Sequence, residues 1–343
     1  MQRFLVIFLV ATSINFVSSY ANTENKVNNT VHITEQLPED IKKREELKQL
    51  FYEPDRSMGK SKKKVFNKFI REYGAQEMIV LTKDGFRISA FSLKNSKACC
   101  NIIFVPGYFH DQTPTKEWAA NLAFLFSHSD DKDSKTFNTY SFDWRSFGSS
   151  DGKNGKWLPG DFGLNAYPDI QAVVDHVKKD NDKPIVLMGF CAGAAMAMYA
   201  TLQAQQNGDT VVDALILDSI FEEFKNQFDR AILAEDRWYR KILIKLLASL
   251  APTYLNFILN GSLFDLRPVE MIKQINMPCL FLHYTKDPFA TLSEAKKVVE
   301  SAKSETFTIT SDIGRHARTL TYVPCQCRKA ICDNLKQLNI IKD

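Results

Sequence analysis

The sequence predicts an α/β protein: a mostly parallel central sheet flanked by helices, with a helical cap insertion and an N-terminal helical extension. Three observations lead there. Short apolar runs alternate with helix-length segments from Asn101 onward, a glycine-bracketed turn follows one of those runs, and one segment between two of them is too long for a simple crossover. Strands that are apolar on both faces belong to a parallel sheet covered by helices. With 343 residues, 45% hydrophobic and 24% charged, the chain is long enough for one large α/β domain with a sizeable core.

The elements follow in chain order. The opening "MQRFLVIFLVATSINFVSSYA" sets Arg3 before an apolar run and ends in Ser19-Tyr20-Ala21, the plan of a secretory signal peptide cleaved after Ala21. Its apolar stretch, Phe4 to Val17, is broken by Thr12, Ser13 and Asn15 and is short for a membrane span. Residues 1–21 are therefore read as a signal peptide, and a secreted or periplasmic location is expected. Residues 22–75 form an extension in which Asn22 to Glu35 is polar and expected to be unstructured, while "LPEDIKKREELKQLFY" and "KKKVFNKFIREYG" carry the spacing of two amphipathic helices.

The main domain is expected over 76–343. Its first segment, "EMIVLTKDGFRISAFSL", alternates apolar and polar residues on both sides of Lys83-Asp84-Gly85 and predicts a β-hairpin. "NIIFVPG", "FNTYSFDW", "KPIVLMG", "VVDALILD", "CLFLHYT" and "ETFTIT" supply the parallel strands. The cap insertion is expected at about 221–276, where "RWYRKILIKLLASLAPTYLNFIL" exceeds any crossover helix.

The net charge of +4 is spread along the chain rather than gathered into a stripe, so nucleic acid is not an expected partner. Seven cysteines in an exported chain leave at least one thiol free. With Cys191 set aside, Cys99, Cys100, Cys279, Cys325, Cys327 and Cys332 allow up to three disulfides, and at least one is expected to involve the C-terminal cysteines, which would lie within reach of Cys99 and Cys100. "CC" and "CQC" are poor zinc spacings without a histidine set nearby, so neither metal nor cofactor is expected.

The chemistry gathers around "PIVLMGFCAGAAMAMYA", Pro184 to Ala200. A sharp strand-to-helix turn holds its central residue in a strained conformation and leaves no room for side chains two positions away. Gly189 and Gly193 give that room around Cys191, and Ala192, Ala194, Ala195 and Ala197 let the following helix lie close to the strand. The pattern Gly-Phe-Cys-Ala-Gly has the form of a nucleophile elbow with cysteine where serine is usual.

On these residues the chain resembles the α/β-hydrolase superfamily from roughly Glu77 to its end. A cysteine at the elbow is similar to dienelactone hydrolases and polyhydroxyalkanoate synthases. "FVPGYFHDQ" looks like the oxyanion loop, with Pro106-Gly107 in place of the usual His-Gly. "FDWRSFGSSDG" looks like the Asp-x-Arg-Gly-x-Gly-x-Ser segment, with Ser146 replacing the first glycine, and "FDLRPVEMIKQINMPCLFLHYTKDPFA" looks like the approach to the acid-bearing strand.

The resemblance implies a nucleophile, then an acid, then a histidine along the chain. Of six histidines only His283 and His316 follow Cys191. His283 lies inside an apolar strand and reads as structural, whereas His316 in "SDIGRHAR" lies in the loop where the family keeps its base. Asp287 in "HYTKDPF" matches the family's acid, with Asp218 in "LILDSIF" as the rival because some members take the acid from there. The oxyanion would be met by the backbone N–H groups of Tyr108 and Ala192.

The reading is an exported hydrolase of an ester, thioester or related acyl bond, working through Cys191, His316 and Asp287 on a small-molecule or lipid-like acyl substrate. The cap's Leu, Ile, Phe, Trp and Tyr suit an apolar acyl group and would equally fill its own core. The same residues allow two alternatives: a catalytically inactive protein that keeps the fold, and an acyltransferase similar to the polyhydroxyalkanoate synthases.

Overall fold

Every parallel strand of the sheet coincides with one of the six apolar runs except the first, which sequence reading missed. The computed structural model describes residues 29–51, 60–107, 116–128, 135–152, 166–224, 226, 227, 230 and 266–342. The signal-peptide segment, residues 231–265 of the insertion, and Tyr108 lie outside them.

The first described element is β1 (Asn29–Ile33), followed by α1 (Pro38–Phe51) and α2 (Lys60–Tyr73). The hairpin read around Lys83-Asp84-Gly85 is β2 (Gln76–Leu81) against β3 (Arg87–Leu93), antiparallel. Then come β4 (Cys100–Val105), α3 (Ala120–Ser127), β5 (Phe137–Phe142), α4 (Ala166–Asp180), β6 (Ile185–Phe190), α5 (Ala192–Asn207) and β7 (Ala214–Asp218). After the insertion, β8 (Cys279–Tyr284), α6 (Leu292–Ser301), β9 (Thr306–Ser311) and α7 (Pro324–Gln337) complete the chain.

The nine strands lie in one sheet in the order β1-β9-β8-β7-β6-β4-β5-β3-β2. β3 is antiparallel to β5 as it is to β2; the other pairs are parallel. β4, β5, β6 and β7 are buried along their whole length because helices cover both faces. On one face α4, α5 and α6 build a core with Val173, Leu187, Leu215 and Phe281. On the other, α1, α2, α3 and α7 bury Leu47, Phe69, Phe126 and Leu335 against Phe104 and Phe307.

The N-terminal extension is part of this second layer. Leu47 on α1 and Phe66 and Phe69 on α2 are buried, and the Phe66 and Phe69 rings meet Phe91 of β3 at 5.5 and 5.7 Å. Asn22 to Glu35, read as unstructured, contains β1, which pairs in parallel with β9 from Asn29↔Phe307 to Ile33↔Ser311. The local pattern is weak because little of this edge strand is covered: Ile33 is buried, while Val31 on the same face is exposed. Its partner lies at the far end of the chain, so nothing near it in sequence marks it.

The expected disulfide is not formed: all seven cysteines are free thiols. Cys327 and Cys332 face the core from α7 and Cys279 is buried in β8, while Cys325 turns to the carbonyl of Glu39 and Cys99 to the carbonyl of Thr136. Burial raises the pKa of these five thiols and of Cys100 in β4, so all six behave as small apolar groups. At the described ends of the insertion, Phe221, Leu266, Ile272 and Ile275 belong to the first core.

Candidate active site

At Cys191 the chain turns from β6 into α5 with φ 52° and ψ −118°, a left-handed-side conformation rare for a residue with a side chain. The two glycines explain how the turn fits. A Cβ on Gly193 would stand 2.3 Å from the carbonyl oxygen of Val105 and 2.5 Å from that of Pro106, and one on Gly189 would stand 2.5 Å from Cα of Ala194. The elbow is thus pressed backbone to backbone against the end of β4. Cys191 N–H donates to the carbonyl of Asp218 at 2.8 Å, which ties the turn to β7. Cys191 remains half-buried, and Ala192 opens α5, so its N–H has no carbonyl one turn back within the helix.

His316 and Asp287 come from the loops after β9 and β8. Nδ1 of His316 lies 2.9 and 2.8 Å from the two carboxylate oxygens of Asp287. Oδ1 of Asp287 also accepts the N–H groups of Phe289 and Ala290 at 2.9 and 3.0 Å. Burial would raise this acid's pKa, yet the hydrogen bond and charge of His316 and the two backbone donors hold it below the usual range. The Cys191 sulfur hydrogen-bonds to the same ring, and with Nδ1 held by Asp287 the nitrogen left for it is Nε2.

Burial lowers the affinity of His316 for its second proton, but the charge of Cys191, the hydrogen bonds from Asp287 and Cys191, and the charge of Asp287 outweigh it and raise the pKa to about 10. The ring thus lies between the Asp287 carboxylate and the Cys191 sulfur. The Phe289 ring flanks it with centroids 5.2 Å apart.

The pattern that defines the alpha/beta hydrolase family matches residues 102–315, from β4 to the residue before His316. The chain belongs to the alpha/beta hydrolase family. Comparison with the curated proteins gives no match. Among solved structures the hydrolase is similar to an esterase of Pyrococcus furiosus, with a TM-score of 0.55 and 18% identity over 83% of this chain and 98% of that one. It is similar to the alpha/beta hydrolase GrgF from a Penicillium species, with a TM-score of 0.55 and 14% identity over 77% of this chain and 98% of that one. An acylaminoacyl peptidase of Pyrococcus horikoshii shares the fold at a TM-score of 0.51 and 14% identity, over 78% of this chain and 42% of that one.

The other residues singled out from sequence fall into place around this arrangement. Asp218 is fully buried at the end of β7 and directs Oδ1 to the Ser219 hydroxyl at 3.1 Å, so Asp287 and not Asp218 clasps His316. His283 is buried in β8, where burial lowers its pKa. Ser146, standing where the family has glycine, adopts φ 67°, which accounts for the glycine elsewhere. Two residues before it, Trp144 donates from Nε1 to the carbonyl of Pro106 at 3.2 Å, at the end of β4. Arg145 is buried between Asp169, at 2.6 Å, and Asp84, at 2.8 Å, and braces the same segment. Tyr108, the other expected oxyanion donor, lies outside the described residues. Among the described residues no three His, Cys, Asp or Glu side chains gather to hold a metal ion.

Proposed function

We propose that this chain is an exported hydrolase that cleaves an ester, thioester or related acyl bond, with Cys191 as nucleophile, His316 as base and acid, and Asp287 orienting the imidazole. One observation carries the reading: a cysteine held at φ 52° between β6 and α5 shares a histidine ring with a buried carboxylate bonded to the ring's other nitrogen. Nε2 of His316 takes the Cys191 proton, and the thiolate so formed is the attacking species. The sulfur attacks the carbonyl carbon, a C–S bond forms, and the carbonyl π electrons move onto oxygen. The Ala192 N–H, and that of Tyr108 in the family's arrangement, meet the oxyanion.

Collapse of the tetrahedral species breaks the bond to the leaving group, which departs with the proton from Nε2 of His316. A water molecule then loses its proton to the same nitrogen, its oxygen attacks the acyl-thioester, and the acid is released as Cys191 regains its charge. Asp287 keeps Nδ1 protonated throughout, so that Nε2 alone exchanges protons. Export rests on Arg3, the apolar run and Ser19-Tyr20-Ala21.

The test is hydrolysis of p-nitrophenyl esters of several chain lengths by wild type, Cys191→Ala and His316→Ala, with mass spectrometry of trapped acyl adducts. Each substitution is expected to lower kcat by at least about 10³-fold, and the adduct is expected on Cys191. Hydrolysis that survives Cys191→Ala overturns the assignment. Sequencing of exported protein is expected to begin at Asn22; a start at Met1 in a membrane fraction overturns the export reading.

A further inference from the structure

Asp218 and the residue after it touch each half of the site from below. The Asp218 carbonyl accepts the N–H of Cys191, and Ser219 N–H donates to the carbonyl of Leu282 on β8 at 2.9 Å. The Ser219 hydroxyl accepts the N–H of Ala317, the residue following His316, at 2.8 Å and donates to Oδ1 of Asp218 at 3.1 Å. Both Asp218 and Ser219 are fully buried. Ser219 and Ala317 are each in the left-handed region, with φ 57° and 53°, and neither is glycine or asparagine. Two strained residues, 98 positions apart, are therefore held to one another by a single buried hydrogen bond.

We propose that Ser219 is a positioning residue for the base. Its hydroxyl fixes Ala317, and through it sets the His316 ring where Nδ1 reaches Asp287 while Nε2 faces Cys191. The inference rests on the reading of Cys191 and His316 as nucleophile and base. Asp218 aims the hydroxyl: by taking its proton at Oδ1 it leaves the oxygen lone pairs facing Ala317. Oδ2 of Asp218 makes no hydrogen bond among the described residues, so an asparagine, which keeps Oδ1 as an acceptor, preserves the arrangement.

The test compares wild type, Ser219→Gly, Ser219→Ala and Asp218→Asn, with His316→Ala as reference. Two quantities are read: kcat and KM for a p-nitrophenyl ester, and the pH dependence of Cys191 alkylation by iodoacetamide. Ser219→Gly removes the hydroxyl and relieves the left-handed strain, and Ser219→Ala removes only the hydroxyl. In both, kcat is expected to fall about 10- to 100-fold with KM little changed, and the alkylation profile to move toward that of His316→Ala. Asp218→Asn is expected to lower kcat less than either Ser219 variant, and a larger loss there than in folded Ser219→Ala overturns the claim that the Ser219 hydroxyl carries the effect. A wild-type kcat and profile in folded Ser219→Gly or Ser219→Ala overturns the positioning role. A wild-type profile in His316→Ala overturns the nucleophile and base reading itself, and the positioning role with it.

Discussion

Gly193 has no room for one more carbon atom. Its missing Cβ would overlap the carbonyl oxygens of Val105 and Pro106, which are backbone and cannot swing aside. Gly193→Ala is therefore expected to cost about 2 kcal/mol or more and to remove the preferential alkylation of Cys191, read by thermal melting and by peptide mass spectrometry. The charge of Cys191 leads the causes that raise His316, so in Cys191→Ser the His316 ring is expected to titrate below wild type, followed by the NMR shift of its Cε1 proton. Because the folded-state value lies above the ordinary 6.5, the stability this ring contributes is complete below about 6.5 and is lost as pH rises through about 10; in Cys191→Ser that loss is expected at lower pH. Asp218 is an acid raised to about 7, mainly by burial, so its contribution is complete below about 3.8 and lost as pH rises through about 7. Asp218→Asn is accordingly expected to gain roughly 1–3 kcal/mol over wild type between pH 5 and pH 8, measured by urea melts; equal gains at both pH values would contradict the burial of a charge there. That Cys191, Asp287 and His316 lie together was legible because the elbow's steric demand writes glycines beside Cys191, and Asp287 and His316 each follow an apolar strand. The part of Ser219 was not, since "LILDSIF" carries no local sign that its hydroxyl meets a residue 98 positions away.

At the scale of elements, α1 caps α7. The first turn of α7 has no side-chain cap of its own, and Asp40, fully buried on α1, accepts the N–H groups of Cys325 and Gln326 at 2.7 and 3.2 Å through Oδ1. Its other oxygen takes the side chain of Gln326 at 2.6 Å. A carboxylate there also suits the positive end of the helix dipole. Asp40→Ala is expected to lower stability by about 1–2 kcal/mol, with greater exposure of the Cys325 and Cys327 thiols to a maleimide; an unchanged urea midpoint would mean that water replaces the carboxylate at no loss. Both extension helices were legible from their periodicity and the hairpin from its turn, because those signals are local. What covers what was not legible: the buried face of α1 meets α7, and the partner of each is nearly the whole chain away in sequence. The cysteines misled for the same reason, since crowding in sequence says nothing of which side of α7 each thiol takes.

Over the whole molecule, the sheet depends on both ends of the chain. Ile33, at the end of β1, accepts the N–H of Asp312 at 2.9 Å, four residues before His316. A chain that starts at residue 36 is expected to melt about 5 °C lower or more and to hydrolyse esters more slowly, as the base loop loses one of its anchors; differential scanning calorimetry and kcat test this, and an unchanged melting point would show that β1 is only an ornament on the edge. The α/β class and the strand sequence were legible because parallel strands buried on both faces are written as apolar runs, whereas the ninth strand depends on a pairing that no window of sequence contains. That pairing also orders events during synthesis. β1 is the first strand to leave the ribosome, yet its partner lies 278 positions downstream. At the usual pace of translation, about 5–20 residues per second, β1 waits for tens of seconds with nothing to pair with, while β2 to β7 already have their neighbours. The earliest of the described strands is thus the last to be zipped in, and until then the newborn protein offers a bare strand edge beside the loop that will carry His316.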